Sequence, residues 1–131
     1  MLRVASPLSA DLEDLIEKIL GCCVAVHREL GPGLLESIYA RAVRMELEAR
    51  DIRVEAEKVI PVHYRDRLLC NQRLDLLVDG RVVLEIKSVD ALHPIHMAQV
   101  LNYLRIAGAR VGLLINFNVP VLKWGIRRVI L

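Results

Sequence analysis

The stretch "RLDLLVDGRVVLEIKS", residues 73–88, constrains this chain more than any other part of it. Two short apolar runs meet at Asp79-Gly80, the pattern of a hairpin whose strands lie in an interior. Yet Asp75, Glu85 and Lys87 interrupt those runs. Side chains alternate along a strand, so Glu85 and Lys87 share one face, and Asp75 sits on the preceding strand. Two carboxylates converging in a partly dry place repel each other. Either one takes up a proton or both bind a divalent cation. Hard oxygen ligands with open positions suit Mg²⁺, with Mn²⁺ as its substitute. A lysine beside such a cation would hold an attacking water and balance charge building on a phosphate.

Register decides whether the three groups can meet. A two-residue turn at Asp79-Gly80 would set Val78 opposite Arg81 and put Asp75 and Glu85 on opposite faces of the sheet. A shared site requires an odd-length loop, such as Asp79-Gly80-Arg81 with Val78 opposite Val82, or a bulge. That odd loop or bulge is the expectation.

The remaining elements follow from periodicity. Leu12, Leu15, Ile16, Ile19, Cys23, Val26 and Leu30 repeat at helical spacing over residues 10–30, with Ser9 as N-cap, and Gly31-Pro32-Gly33 ends the helix. A second helix is expected from about Leu34 to Arg50. The strand pattern begins near Arg53, turns at "RDR", and resumes before the hairpin. His93-Pro94 opens a third helix that stops at Gly108. "RVGLLINF" (110–117) reads as a strand covered on both faces, while "WGIRRVIL" is compatible with a last strand or a short helix. The order is helix, helix, three strands, helix, strand: one sheet with helices packed on it. The 131 residues suit a single domain, 1–131, with 1–8 flexible.

Composition excludes some classes. With 54% hydrophobic and 26% charged residues the chain is globular, and charges break every apolar run before it could span a bilayer. The N-terminus carries no export-signal pattern, and three cysteines without framework spacing fit reduced thiols, so a cytoplasmic protein is expected. The net charge of +2 is unevenly spread: no Asp or Glu follows Asp90, whereas Arg105, Arg110, Lys123, Arg127 and Arg128 do. That asymmetry permits a polyanionic partner and equally a solvated basic face.

Two helices bring further candidates. At about 100° per residue, Glu36 falls between Val43 and Leu47 inside the apolar arc of the second helix, while Ser37, Arg41, Arg44 and Glu48 form a separate polar stripe. A carboxylate so placed needs a partner, which the metal site or a plain ion pair would supply. On the third helix His96, Gln99 and Tyr103 share one side, and Gln99 is the polar group expected to reach the site. His93 and His96 stand three apart, but no Cys or further His has zinc spacing with them. Arg73, two residues before Asp75, joins Tyr103 and His96 as a candidate for substrate contact.

"GPGLLESIY" (31–39), with Gly33, Glu36 and Tyr39 at intervals of three, resembles the signature of the GxxExxY protein family. "VHREL", "RLDLLVDG", "LEIKSVD", "HMAQVLNYL" and "VGLLINFNVP" resemble the same family in the same order, over residues 11 to 130. That family lies in the PD-(D/E)XK nuclease superfamily. The resemblance implies a restriction-endonuclease-like α/β fold: an αβββαβ core with a central mixed four-stranded sheet flanked by helices, here with an extra N-terminal helix. It implies Asp75 and Glu85 as metal carboxylates, Lys87 as catalytic lysine, Glu36 as the acidic residue of the first core helix, and Gln99 as the helical glutamine, with Tyr103 one turn on. Leu74 stands where the superfamily's name has proline.

The leading functional expectation is a Mg²⁺-dependent nuclease acting on nucleic acid, with DNA as the expected substrate and no membrane partner. The alternative is a non-catalytic binding or scaffolding module of nuclease fold within a larger assembly. A homodimer would supply recognition surface that one small module lacks. A small-molecule phosphohydrolase fits the same metal logic but lacks a Gly-rich phosphate loop.

Overall fold

A computed structural model describes residues 6–131. Helix α1 spans Ala10–Leu30 and α2 spans Glu36–Ala49. Strands β1 (Val54–Tyr64), β2 (Arg67–Val78) and β3 (Val82–Lys87) follow, then α3 (Pro94–Ala107), β4 (Val111–Asn116), a short 3₁₀ turn (Leu122–Gly125) and β5 (Ile126–Ile130). The strands form one mixed sheet in the order β1-β2-β3-β4-β5, with β3 and β4 parallel and every other pair antiparallel. The expected restriction-endonuclease-like arrangement is present, extended by a fifth strand. The tail forms both candidate structures in succession, the 3₁₀ turn and then β5. Of the N-terminal segment expected to be flexible, residues 1–5 lie outside the described residues, while Leu8 packs into the core.

Each element starts and stops for a local reason. Ser9 Oγ accepts the Leu12 N–H at 3.2 Å, capping α1. Gly108 ends α3 in the left-handed region, at φ 70°. Arg65 and Asp66 both have positive φ, 50° and 64°, which gives the tight two-residue link that β1 and β2 need. The core has two layers. Helices α1 and α2 pack their apolar stripes, including Ile16, Ile19, Tyr39, Val43 and Leu47, on the sheet face carrying Leu76, Val78, Leu84 and Leu113. Helix α3 covers the other face through Val100, Tyr103 and Leu104, against Leu74, Leu77, Val83 and Leu114. Gly112 lets α3 sit this close: a Cβ there would lie 2.6 Å from a Val100 methyl.

The hairpin has the odd loop that a shared site demands. Val78 pairs with Val82, Leu77 with Val83 and Leu76 with Leu84, leaving Asp79, Gly80 and Arg81 as a three-residue link. Asp79 and Gly80 take φ values of 51° and 67°. There is also an irregularity in β2. Leu74 and Leu77 belong to the α3-side core, whereas Leu76 and Val78 belong to the other, so the two-residue alternation slips between Leu74 and Leu77. Glu57, on β1 between the partners of Leu76 and Leu74, has φ 52°. The sheet is therefore kinked at Asp75.

Candidate active site

At this kink the β2–β3 ladder gives out and side chains take over its hydrogen bonds. Regular pairing ends at Leu76 and Leu84, so Asp75 comes opposite Glu85. The Asp75 backbone N–H donates to Glu85 Oε1 at 3.1 Å, and the Ile86 N–H donates to Asp75 Oδ2 at 2.8 Å. Each carboxylate is thus fixed by the other's strand. Glu85 is 5% exposed, and Asp75 is half-buried.

Burial raises the Glu85 carboxyl from the ordinary 4.5 to about 8, and the neighbouring Asp75 charge adds to the rise. Burial likewise raises Asp75, opposed by the Ile86 N–H and by Lys87, and reinforced by Glu36. The two carboxyl groups are close enough to share a proton. The pair therefore tends to retain a proton where isolated carboxyls would have lost theirs, unless a cation displaces it. This repulsion, between hard oxygen donors with a lysine at hand, fits a divalent cation.

Glu36 reaches the site differently from the expectation. It is exposed, not buried in the apolar arc. It is the first residue of α2, and the helix beds onto the core only from Tyr39 onward, through Tyr39, Val43 and Leu47. A helical wheel gives direction but not how far along its axis a helix is covered. Its Oε1 accepts the Ser88 N–H at 3.4 Å, just beyond Lys87. The intervals in "GPGLLESIY" have a physical basis here. The buried Tyr39 ring stacks on Phe117 with centroids 4.5 Å apart. Its hydroxyl donates to the Gly31 carbonyl at 2.5 Å and accepts the Leu34 N–H at 3.1 Å. Ser88 Oγ then donates to the Leu34 carbonyl at 2.6 Å. The loop before α2 is stapled on both sides, and Glu36 is held at the end of β3.

Helix α3 closes the other side. Burial raises the Tyr103 phenol, and the nearby charges of Glu85 and Asp75 raise it further, while Gln99, one turn earlier on α3, opposes the rise. The structure therefore gathers Asp75, Glu85, Lys87, Glu36, Gln99 and Tyr103 around one place. It does not bring in His96 or Arg73. His96 Nδ1 accepts the His93 N–H at 3.0 Å, capping α3, and Arg73 lies 3.9 Å from Glu57 on the outer part of the hairpin. Among the described residues no group of three or more His, Cys, Asp or Glu is placed together as a metal-holding cluster.

Two contributors escaped the sequence reading. Asn116, 2% exposed, pairs with Lys87 across the parallel β3–β4 ladder. Its amide donates to the Val89 carbonyl at 2.9 Å and its Oδ1 accepts the Val89 N–H at 3.0 Å, fixing the chain that leaves Lys87. An Asn inside the apolar run "GLLINF" was the available signal. The second is a cleft of about 490 Å³ between α2 and β1–β2, lined by Glu36, Ser37, Arg41, Arg44, Glu57 and Asp75 among others. The polar stripe of α2 faces this cleft.

Part of the C-terminal basic excess is consumed internally, since Arg128 pairs with Glu13 of α1. No helix among the described residues is long and apolar enough to cross a membrane. Searches of curated proteins and of solved structures return no significant match. The family model of the PD-(D/E)XK nuclease superfamily, by contrast, matches residues 13–129, which includes both carboxylate strands, the lysine, α2, α3 and all of α1 but its first turn. Nearly the whole described fold lies within that match, and the chain belongs to the PD-(D/E)XK nuclease superfamily.

Proposed function

We propose that this chain is a divalent-cation-dependent nuclease that hydrolyses phosphodiester bonds in nucleic acid, DNA foremost. The observation that carries this reading is the meeting of Asp75 and Glu85 at the kink, each bonded to the other's strand, beside Lys87. Asp75 and Glu85, with Glu36 at the edge, would hold Mg²⁺ or Mn²⁺. The bound cation would supply Lewis acidity toward the phosphate and a more acidic water. The chain's own groups do the rest. Lys87, the last residue of β3, orients the attacking water and balances negative charge on the phosphate. Gln99 and Tyr103 offer neutral hydrogen-bond partners from α3. Asn116 and the Tyr39 staple keep Lys87 and Glu36 in place, which matters because misplacement of about 1 Å can cost on the order of a hundredfold in rate.

Within the superfamily the 31–39 motif supports membership of the GxxExxY group, acting as one domain. The free thiols Cys22, Cys23 and Cys70 support a reducing compartment such as the cytoplasm.

The test begins with Mn²⁺ titration by calorimetry on wild type and on an Asp75→Asn/Glu85→Gln double variant of confirmed fold. Binding that disappears in the variant is expected, as is nicking of plasmid DNA by wild type but not by Lys87→Ala. Absence of Mn²⁺ binding by wild type, both alone and with an uncleavable oligonucleotide, would overturn the reading in favour of a binding module.

A further inference from the structure

The cleft beside the site is electrically divided, and the division points to how a substrate strand lies. One end carries Glu36 and Asp75; farther along α2 the same cleft is lined by Arg41 and Arg44. Arg44 is committed to Glu48 at 2.8 Å. Glu57, on the opposite wall, is paired with Arg73 at 3.9 Å. Arg41 is exposed, and among the described residues it forms no ion pair, although three carboxylates line the same cleft. A guanidinium with an unused fork of donors, facing a groove that leads to a phosphodiesterase site, is suited to a phosphate.

Spacing says which phosphate. Five residues of helix separate Glu36 from Arg41, about 7.5 Å along the axis at roughly 1.5 Å per residue. A nucleic-acid strand advances about 3.4 Å of duplex axis per phosphate. The strand's own path between neighbouring phosphates is longer than that axial rise, because the backbone winds around the axis, so an anion on Arg41 lies about one to two phosphates from one held at the carboxylates. Ser37, one turn before Arg41 on the same stripe, adds a hydroxyl between them.

We propose that Arg41, assisted by Ser37, forms a second phosphate subsite that draws the scissile strand along α2. This rests on the nuclease reading and deepens it. The ligand is a polynucleotide strand extending at least one phosphate beyond the cleaved bond, and small phosphodiesters leave the subsite empty.

The test is a length series. Deoxyoligonucleotides with one, two and three phosphodiesters compete with a fluorescent 12-mer for wild type, Arg41→Ala and Arg41→Lys, with Ca²⁺ as the non-supporting cation. Wild type should gain about tenfold in affinity between one and three phosphates. Arg41→Ala should match wild type on one phosphate and lose the gain, its salt slope on the 12-mer should fall by about one, and Arg41→Lys should restore part of the gain. If wild type binds and cleaves DNA while Arg41→Ala keeps the gain and the slope, the subsite is overturned and the nuclease reading stands. If wild type binds no oligonucleotide, both are overturned.

Discussion

Strand β2 runs through two different environments. From Leu74 to Val78 every residue but Asp75 is buried, with helices above and below. From Arg67 to Arg73 every residue is exposed, including Leu68 at 55% and Leu69 at 63%. The outer half holds together as a two-stranded ribbon with β1, a structure only marginally stable by itself, and an extra residue bulges it near Val62. The inner half has its side chains specified by packing, the outer half by little beyond pairing. The boundary is the kink, where Asp75 sits. The catalytic candidates occupy the last position at which the scaffold is rigid and the first at which solvent and substrate have access.

The contrast can be broken most strongly from the inside. Leu76→Ala, in the buried half, should cost about 2–5 kcal/mol in denaturant unfolding, because Leu76 is 1% exposed between two packed layers. Tyr39→Phe should cost about 1–2 kcal/mol and speed amide exchange over residues 31–36, since it removes the two bonds that staple the loop. At the boundary the expected sign is reversed. The folded chain keeps a proton on Glu85 up to about pH 8 that an unfolded chain releases near 4.5. Without a cation, wild-type stability should therefore fall as pH rises through that window. Glu85→Gln should equal wild type near pH 5 and exceed it near pH 8 by about 1–2 kcal/mol. Adding Mn²⁺ at pH 8 should raise the melting temperature of wild type and not of the variant. Leu68→Ala, in the outer half, should change stability by no more than about 0.5 kcal/mol. Amides near the Arg65-Asp66 turn should exchange far faster than those of β3 and β4.

The boundary also shows what can be read from one dimension. The three-residue loop was legible because carboxylates that must meet dictate parity, and parity is countable along a chain. The buried β3 and β4 were legible as unbroken apolar runs. The exposure of Glu36 was not, because angle around a helix says nothing about where its first turn emerges from the core. For the same reason the stripe of Ser37, Arg41 and Arg44 was visible, but the cleft it faces depends on β1 and β2, which lie across from it only in three dimensions. Asn116 was obscured by its apolar neighbours. His96 shares a helix side with Gln99 and Arg73 a strand with Asp75, yet in the structure His96 caps its own helix and Arg73 lies beside Glu57.

The odd link at residues 79–81 makes chain length itself a chemical variable. Removing one residue there would preserve composition, charge and nearly all hydrophobicity, yet invert β3 like a shifted reading frame. Ile86 would be driven toward Asp75, and Glu85 into the apolar core under α1 and α2. Substitutions at Asp79 or Arg81 leave this count intact and should be absorbed, whereas single-residue insertions and deletions should be lethal to both core and chemistry. Paired changes of two residues would restore the phase. A deletion scan across the link should therefore show an even–odd pattern, in which a loop of little intrinsic value keeps time for the whole molecule.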